Sequence, residues 1–303
     1  MKEKKIGIPK ALYYYYFGSL YQNFFEELGY EVVISPNTNV EILELGEHYA
    51  TDEMCLSMKI FLGHVAYLQD KCDYIVVPRI DNYGICDQTC TNFLALFDIV
   101  HSLFPTKILN YNIDLEKGED EFKGFIRMGR QLQCDEIKTM EAYEKAEEKE
   151  EREARKKMHQ NAKMLKEKNL KILVVSHPYN TYDAMVGKPI FAFLEKLGVT
   201  LIYSDRFDKK RTSYYSKIIS SDLYFKFSKE ILGSIPLVEK KVDGILFLSS
   251  FPCALDSISY ELAMRRIHKP YLHLVLDDLG AGAGIETRLE SFVDILEQKN
   301  YAG

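Results

Sequence analysis

The sequence predicts an α/β protein of two Rossmann-like units, each a small parallel sheet flanked by helices, joined by a charged helical segment. Both halves of the chain repeat one order: an apolar strand, a proline-containing turn, a helix ending in Leu-Gly, and a second apolar strand. The predicted strands are short uninterrupted apolar runs, which is typical of parallel strands buried on both faces. The 303 residues suit two domains of roughly 150 residues each.

Four strands are predicted in each half. In the first half they cover residues 5–9, 31–35, 74–78 and 107–110, and in the second half 171–176, 200–204, 244–248 and 271–276. The first helix of each half closes at Gly29 or Gly198, where a left-handed glycine cap is expected. Ligands of such sheets bind beyond the carboxyl ends of the strands.

We predict an N-terminal α/β domain over 1–115, a charged helical linker over 116–168 and a C-terminal α/β domain over 169–303. Residues 144–157 are almost wholly Glu, Lys and Arg with alanines among them, a composition that favours a solvated helix. This helix either bridges the two domains as a surface element or serves as a docking site for a partner.

Composition excludes several function classes. The net charge of −6 argues against broad binding to nucleic acid or to a membrane surface. No apolar run reaches the roughly 20 residues of a membrane-spanning helix, and the first residues lack the apolar core of a signal peptide. We therefore expect a cytoplasmic protein. There is no P-loop motif and no visible serine triad.

Six cysteines raise the question of a metal site, because thiols stay reduced in the cytoplasm. They lack the paired Cys-x2-Cys spacing of structural zinc sites. Cys86 and Cys90 follow the predicted strand at 74–78, Cys253 follows the strand at 244–248, and Cys55 opens a predicted helix. Thiols at strand ends and helix starts can meet in one cleft, where helix dipoles favour the thiolate ligands of a [4Fe–4S] cluster. Alternatively, the cysteines are small buried hydrophobic residues.

The remaining candidates carry weaker signals. Cys72 is predicted to be a packing residue, and Cys134 to be structural or exposed. The glycine-rich run 280–284 is either an anion-binding helix start or a tight strand-to-helix turn. His177 either positions a ligand or caps a turn, whereas His64 and His101 are expected to be core or surface side chains. Tyrosines 13–16 are expected to pack a helix on its sheet.

Ordered motifs over nearly the whole chain, outside the charged segment, carry a family resemblance. They include residues 6–12 (IGIPKAL), 35–39 (SPNTN), 52–56 (DEMCL), 90–93 (CTNF), 177–180 (HPYN), 251–257 (FPCALDS) and 287–292 (TRLESF). In these motifs the chain resembles the CoA-substrate-specific activase-related proteins, in a short form that lacks the ATPase domain. Those proteins are relatives of the iron–sulfur subunits of 2-hydroxyacyl-CoA dehydratases.

The resemblance implies a [4Fe–4S] cluster between the two α/β domains, with Cys55, Cys90 and Cys253 as ligands. Cys86 has no matched counterpart in the family pattern. It lies one helical turn from Cys90, as a fourth ligand or as part of a double-cubane [8Fe–9S] cluster. The chain departs from the family at residues 252, 254 and 255, where flexible glycines and a proline are usual. It also departs at Leu279, where a histidine is usual.

The resemblance also implies a partner, because the chain lacks the actin-like ATPase motif. An ATP-hydrolysing activator with its own cluster would supply low-potential electrons for reductive chemistry on a small or CoA-linked substrate. The protein would then be an enzyme component, a reductase or a dehydratase (lyase) of anaerobic metabolism, and a homodimer is expected by analogy. The alternative is an electron-transfer or cluster-carrier protein with no substrate of its own. A weaker third interpretation is a zinc-binding or metal-free structural protein.

Overall fold

A computed structural model describes residues 4–277 and 282–301. It divides the chain into two compact units, Met1–Glu153 and Ala154–Gly303, and the division falls inside the charged segment. Small parallel sheets flanked by helices confirm the predicted α/β class. Within the described ranges, no helix combines the length and the apolar character needed to cross a membrane.

The first unit is built on a parallel sheet with the strand order β2-β1-β3-β5. The strands of this unit are β1 (Lys5–Ile8), β2 (Glu31–Ile34), β3 (Tyr74–Val76), β4 (Arg79–Asn82), β5 (Ile108–Leu109) and β6 (Asn112–Asp114). Its helices are α1 (Tyr14–Glu27), α2 (Val40–Tyr49), α3 (Leu56–Leu68), α4 (Thr91–Leu94), α5 (Leu96–Leu103) and α6 (Glu121–Gln131). A 3-10 turn covers Leu115–Lys117. The four predicted strands are confirmed, each slightly shorter than expected.

Strands β4 and β6 are a short parallel pair that the sequence did not predict. They continue β3 and β5 beyond Pro78, which has no N–H to donate and so interrupts the ladder. Backbone pairing resumes on either side of the proline, where Val77 donates to Leu109 (3.0 Å) and Arg79 donates to Tyr111 (2.9 Å).

Helices α2 and α3 pack with their backbones in close contact at two glycines. A methyl group built on Gly46 would lie 1.8 Å from the Lys59 carbonyl oxygen, and one on Gly63 would lie 1.9 Å from the Ile42 carbonyl oxygen. Only glycine permits this approach. The two helices therefore pack with their backbones in direct contact.

The second unit repeats the topology with a sheet ordered β10-β9-β7-β8, all parallel. The four predicted strands are confirmed as β7 (Lys171–Val175), β8 (Thr200–Tyr203), β9 (Gly244–Ser250) and β10 (Tyr271–Leu276). Its helices are α8 (Pro178–Thr181), α9 (Gly187–Lys196), α10 (Lys209–Tyr215), α11 (Lys226–Leu232), α12 (Ser234–Val238), α13 (Ala254–Met264) and α14 (Gly282–Tyr301). The core beneath the sheet includes the buried side chains of Leu173, Ile245, Phe247 and Tyr260. Further 3-10 turns cover Ser216–Ile218 and Glu239–Lys241.

The glycine caps predicted in the two halves are confirmed. Gly29 and Gly198 adopt left-handed backbones (φ +85° and +80°) directly after α1 and α9, as expected of glycine caps.

The charged segment forms the predicted helix, α7 (Glu136–Met164), and residues 151–157 of this helix are exposed to solvent. Residues near its start, such as Tyr143, are buried in the first unit, whereas Asn161 is buried in the second.

Candidate functional site

The carboxyl ends of β7 and β9 bracket the candidate site of the second unit. These strands are neighbours, and the chain leaves β7 toward β8 on one side and β9 toward β10 on the other. Such a reversal of strand order opens a crevice in which α/β proteins bind ligands. His177 follows β7, and Cys253 follows β9.

Cys253 is the N-cap residue of α13. Its Sγ accepts a hydrogen bond from the backbone N–H of Asp256 at 3.4 Å, so the sulfur faces the start of the helix. Its own N–H donates to the Ser250 carbonyl at 2.9 Å, and the Ser257 hydroxyl donates to the Cys253 carbonyl at 2.8 Å. Cys253 is half-buried, while Phe251 and the following proline are exposed.

His177 occupies the N-cap position of α8, with Pro178 in the first helical position, so the predicted turn is confirmed. Its side chain makes no capping hydrogen bond to α8, so the expected capping by the histidine is not observed. Its Nε2 lies 3.0 Å from Oδ1 of Asp256, and both side chains are buried. The ring of Tyr179 stacks on the imidazole, with 5.0 Å between ring centroids. The α8 turn therefore contacts the first turn of α13.

Cys55 and Cys90 occupy the same local position in the first unit. Each is an N-cap residue with an extended backbone, Cys55 before α3 and Cys90 before α4. The Cys55 carbonyl accepts from the Met58 N–H, and the Cys90 carbonyl accepts from the Phe93 N–H, both at 2.9 Å. Both residues are half-buried. The prediction that Cys55 opens a helix is confirmed, and Cys90, predicted only to follow a strand, also begins one.

Cys86 is placed differently from the prediction. It lies in the exposed loop 83–89 with a left-handed backbone (φ +63°), and a bridge between Asn82 and Gln88 closes this loop. The expected separation of one helical turn from Cys90 is therefore wrong. The helix begins only after Cys90, because the preceding residues pair as a tight loop instead.

The two cysteines predicted to be bystanders have packing surroundings. A methyl group on Gly7 would lie 2.9 Å from Sγ of Cys72, so this thiol packs against β1. Burial raises the pKa of Cys72 to about 11, which keeps it protonated at neutral pH. Cys134 lies 3.4 Å from the hydroxyl of Tyr30.

The proposed ligands are divided between the units, with Cys55, Cys86 and Cys90 in the first and Cys253 in the second. Among the described residues, no three His, Cys, Asp or Glu side chains form a group arranged for a metal ion. The ligand set therefore stays a prediction. All three thiols are half-buried N-cap residues, a position that favours thiolate charge at the start of a helix. The sulfur of Cys253 accepts a backbone N–H, whereas α4 after Cys90 is only four residues long.

His64 is a core residue, as predicted. It is fully buried; its Nδ1 lies 2.8 Å from the Ser35 hydroxyl, and its Nε2 lies 3.1 Å from the Thr38 hydroxyl. Burial, with a smaller contribution from Lys10, lowers the pKa of His64 to about 3. It is therefore neutral at physiological pH.

The other weak candidates are resolved in part. His101 lies in the last turn of α5 and stacks on Phe97, and Tyr13 is buried at the start of α1. Residues 278–281 fall outside the described residues, and with them Leu279 and two of the five residues of the glycine-rich run. Gly284 lies in the first turn of α14.

Sequence reasoning missed the contacts that join the two motifs of the second unit. Asp256 bonds His177, and Ser250 bonds Asn180 across about 70 residues of chain. The motifs that contain these residues were visible, but nothing in a single sequence indicates that they touch.

The fold and the site together define a protein of two Rossmann-like units with thiols at helix starts beyond the sheets. The sequence profile described as "CoA enzyme activase uncharacterised domain" matches residues 5–207. The chain belongs to this family.

Other comparisons add little. A search of curated proteins finds no match. Solved structures of the SBP FpvC from Pseudomonas aeruginosa are similar at 12% identity. The complex with Mn²⁺ has a TM-score of 0.30 with 100% of both chains covered. The complex with Ni²⁺ has a TM-score of 0.29, with 100% of this chain and 98% of that chain covered. Scores this low support no conclusion.

Proposed function

We propose that this chain is an iron–sulfur protein similar to the 2-hydroxyacyl-CoA dehydratase subunits, with a [4Fe–4S] cluster held by Cys55, Cys90 and Cys253. One observation carries the proposal: all three thiols are half-buried N-cap residues. Most buried cysteines have no reason to share such a position, whereas cluster ligands gain from it because the helix start stabilises thiolate charge.

The chain's own residues provide the setting for such a cluster. The Asp256 N–H, which donates to Sγ of Cys253, supplies the kind of sulfur hydrogen bond that tunes a cluster's potential. When bound, a [4Fe–4S] cluster stores and passes single electrons. Each of the three cysteines is half-buried, which limits the access of water to a cluster bound there.

The reaction is proposed by family. Membership of the CoA enzyme activase family supports a reductive reaction on a small or CoA-linked substrate in the cytoplasm. An ATP-hydrolysing activator with its own cluster would deliver the low-potential electrons.

Anaerobic purification with iron and sulfide analysis and EPR of the reduced protein tests the cluster. We expect about four iron atoms and four sulfides per chain if the cluster is a single [4Fe–4S]. Cys55→Ser, Cys90→Ser and Cys253→Ser should each lose iron, whereas the packing residue variant Cys72→Ser should retain it. A colourless, iron-free wild-type protein from strictly anaerobic work would refute the proposal.

A second candidate function, electron transfer without a substrate, is favoured by Cys86. This exposed thiol lies on a loop four positions before Cys90, and a fourth thiolate would close the open iron that substrate binding needs. Cys86→Ser distinguishes the two functions. Full iron retention supports the enzyme, loss of iron supports the carrier, and about eight iron atoms per wild-type chain would indicate a double-cubane cluster.

A further inference from the structure

We infer that His177 and Asn180 of the α8 turn, together with Asp256 and Ser250, form a clamp that positions Cys253. The structure assigns His177 as a positioning residue, which acts on the thiol through Asp256. The existence of this clamp rests on contacts, and its purpose, the orientation of a cluster ligand, rests on the proposed function.

The loop that carries Cys253 has an exposed tip and buried ends. Phe251 is 49% exposed, and its neighbour Pro252 is also exposed. Ser250 before the tip is 3% exposed, and Asp256 after it is 1% exposed. The backbone of the tip is itself bonded, since the Phe251 N–H donates to the Leu276 carbonyl at 2.8 Å, and side-chain contacts hold the two ends of the loop.

Both ends are held by the same short turn. On one side, the Ser250 hydroxyl donates to Oδ1 of Asn180 at 2.7 Å. On the other side, His177 Nε2 lies 3.0 Å from Oδ1 of Asp256. The α8 turn therefore forms hydrogen bonds with the loop at Ser250, before Cys253, and at Asp256, after it.

These contacts are linked to the sulfur of Cys253 through the backbone N–H of Asp256. Its N–H donates to Sγ of Cys253, and its carboxylate is oriented by the imidazole of His177. The other carboxylate oxygen, Oδ2, is buried with no hydrogen-bond partner among the described residues. Removing His177 would leave a buried carboxylate with neither oxygen bonded, which strongly favours local opening of this turn.

His177 itself is held rigidly. It is 6% exposed, Tyr179 stacks on its ring, and the Thr181 hydroxyl donates to its carbonyl at 3.1 Å. A histidine needed only to cap α8 would not require a buried carboxylate partner on a helix 79 positions away in the sequence. The placement suits a role in orienting α13 and the residue that begins it.

The test is the alkylation rate of each cysteine in the metal-free, folded full-length protein, measured with iodoacetamide under native conditions and peptide mass spectrometry. His177→Ala should raise the rate at Cys253 about tenfold, because loss of a charge-assisted hydrogen bond increases local opening by about that factor. The rates at Cys55 and Cys90 should stay within about twofold. His177→Gln, whose amide can donate to Asp256, should restore most of the protection. His101→Ala is the matched control and should change nothing at Cys253.

An unchanged Cys253 rate in folded His177→Ala would overturn the inference, as would an equal rise at all cysteines or the failure of His177→Gln to restore protection. If His177→Ala does not fold, Ser250→Ala decides: it removes one hydrogen bond of the clamp, and an unchanged Cys253 rate would again overturn the inference. Iron analysis of the wild-type protein is read separately. An iron-free wild type refutes the proposed function, while the alkylation result still decides whether the clamp exists.

Discussion

The two units share a strand order, yet they carry their thiols differently. In the second unit the third strand in sequence, β9, spans seven residues, and Cys253 follows it after only two residues. In the first unit the corresponding strand, β3, spans three residues, and β4 and the loop 83–89 intervene before Cys90. The same topology therefore presents one thiol on a tight turn and another beyond a long loop.

Their buried histidines differ in the same way. His64 of the first unit bonds two hydroxyl groups, whereas His177 of the second unit bonds a carboxylate. Hydroxyls satisfy a neutral imidazole inside the core, while a carboxylate ties the histidine to the loop that carries Cys253. One buried histidine therefore belongs to a packed core inside α3, and the other anchors a loop beyond a strand end.

The largest expected effect concerns the glycine contact between α2 and α3 of the first unit. In the second unit, Gly187 lies similarly close to the backbone carbonyl oxygens of Asn180 and Thr181. Gly46→Ala places a methyl group 1.8 Å from a backbone carbonyl, so the helices must separate. We expect a loss of at least about 3 kcal/mol in the free energy of unfolding, because backbone cannot repack as side chains do. Urea unfolding followed by circular dichroism measures it. Gly284→Ala, which meets nothing within 4 Å, is the control and should be nearly neutral.

The second prediction compares the contacts that α7 makes in the second unit with those that it makes in the first. In the second unit, Asn161 donates to the Tyr203 carbonyl and accepts from the Tyr203 N–H, both at 3.0 Å, so its side chain pairs with strand β8. Asn161→Leu leaves these buried backbone groups without that partner and should cost about 2–3 kcal/mol. Faster hydrogen exchange confined to β8 would confirm it, with the exposed neighbour Gln160→Leu as control.

In the first unit, Lys145→Ala breaks an exposed ion pair with Glu27 and should cost less than about 1 kcal/mol in the free energy of unfolding. Equal losses of stability in Asn161→Leu and Lys145→Ala would contradict this contrast.

The third prediction is a pH dependence centred on His64. Its pKa is 6.5 in the unfolded chain and about 3 in the folded protein, so the folded state favours the neutral imidazole. The stabilisation is present above pH 6.5 and is lost as the pH falls toward 3. Between pH 7.5 and pH 5 the loss should be about 2 kcal/mol. His64→Gln should remove this part of the pH dependence, measured as the protection of α3 from hydrogen exchange; the same slope in both proteins would contradict it.

The smallest expected effect tests how far the repeat extends. Gly29 and Gly198 hold equivalent left-handed caps, and a methyl group on either would meet nothing within 4 Å. Alanine at each position should therefore cost only the backbone strain, about 1 kcal/mol. Thermal unfolding of the two single variants should give matching shifts. A difference of more than about 1 kcal/mol would show that the two caps are not equivalent.

The local elements could be predicted from the sequence because their signals are local. Short apolar runs separated by helices marked the eight principal strands, and the Leu-Gly endings marked the helix caps at Gly29 and Gly198. The same patterns placed Cys55 at a helix start and placed Cys90 and Cys253 beyond strand ends; the helices that begin at Cys90 and Cys253 are seen in the structure. The position of Cys86 could not be predicted. Its left-handed backbone lies in a loop closed by a β-bridge, and the sequence spacing of Cys86 and Cys90 does not indicate such a loop.

What only the tertiary structure decided is which distant residues meet. Pro78 breaks one hydrogen-bond ladder, but the resumption of pairing as β4–β6 depends on a partner strand more than 30 residues away. Likewise, Ser250 and Asp256 reach the α8 turn only because β7 and β9 lie side by side in the sheet. The sequence by itself determined the principal strands and the placement of Cys55 at a helix start and of Cys90 and Cys253 beyond strands, since backbone propensity acts over a few residues. The anchoring of Cys253 depends on side chains that parallel pairing brings together, and that pairing is a property of the folded chain.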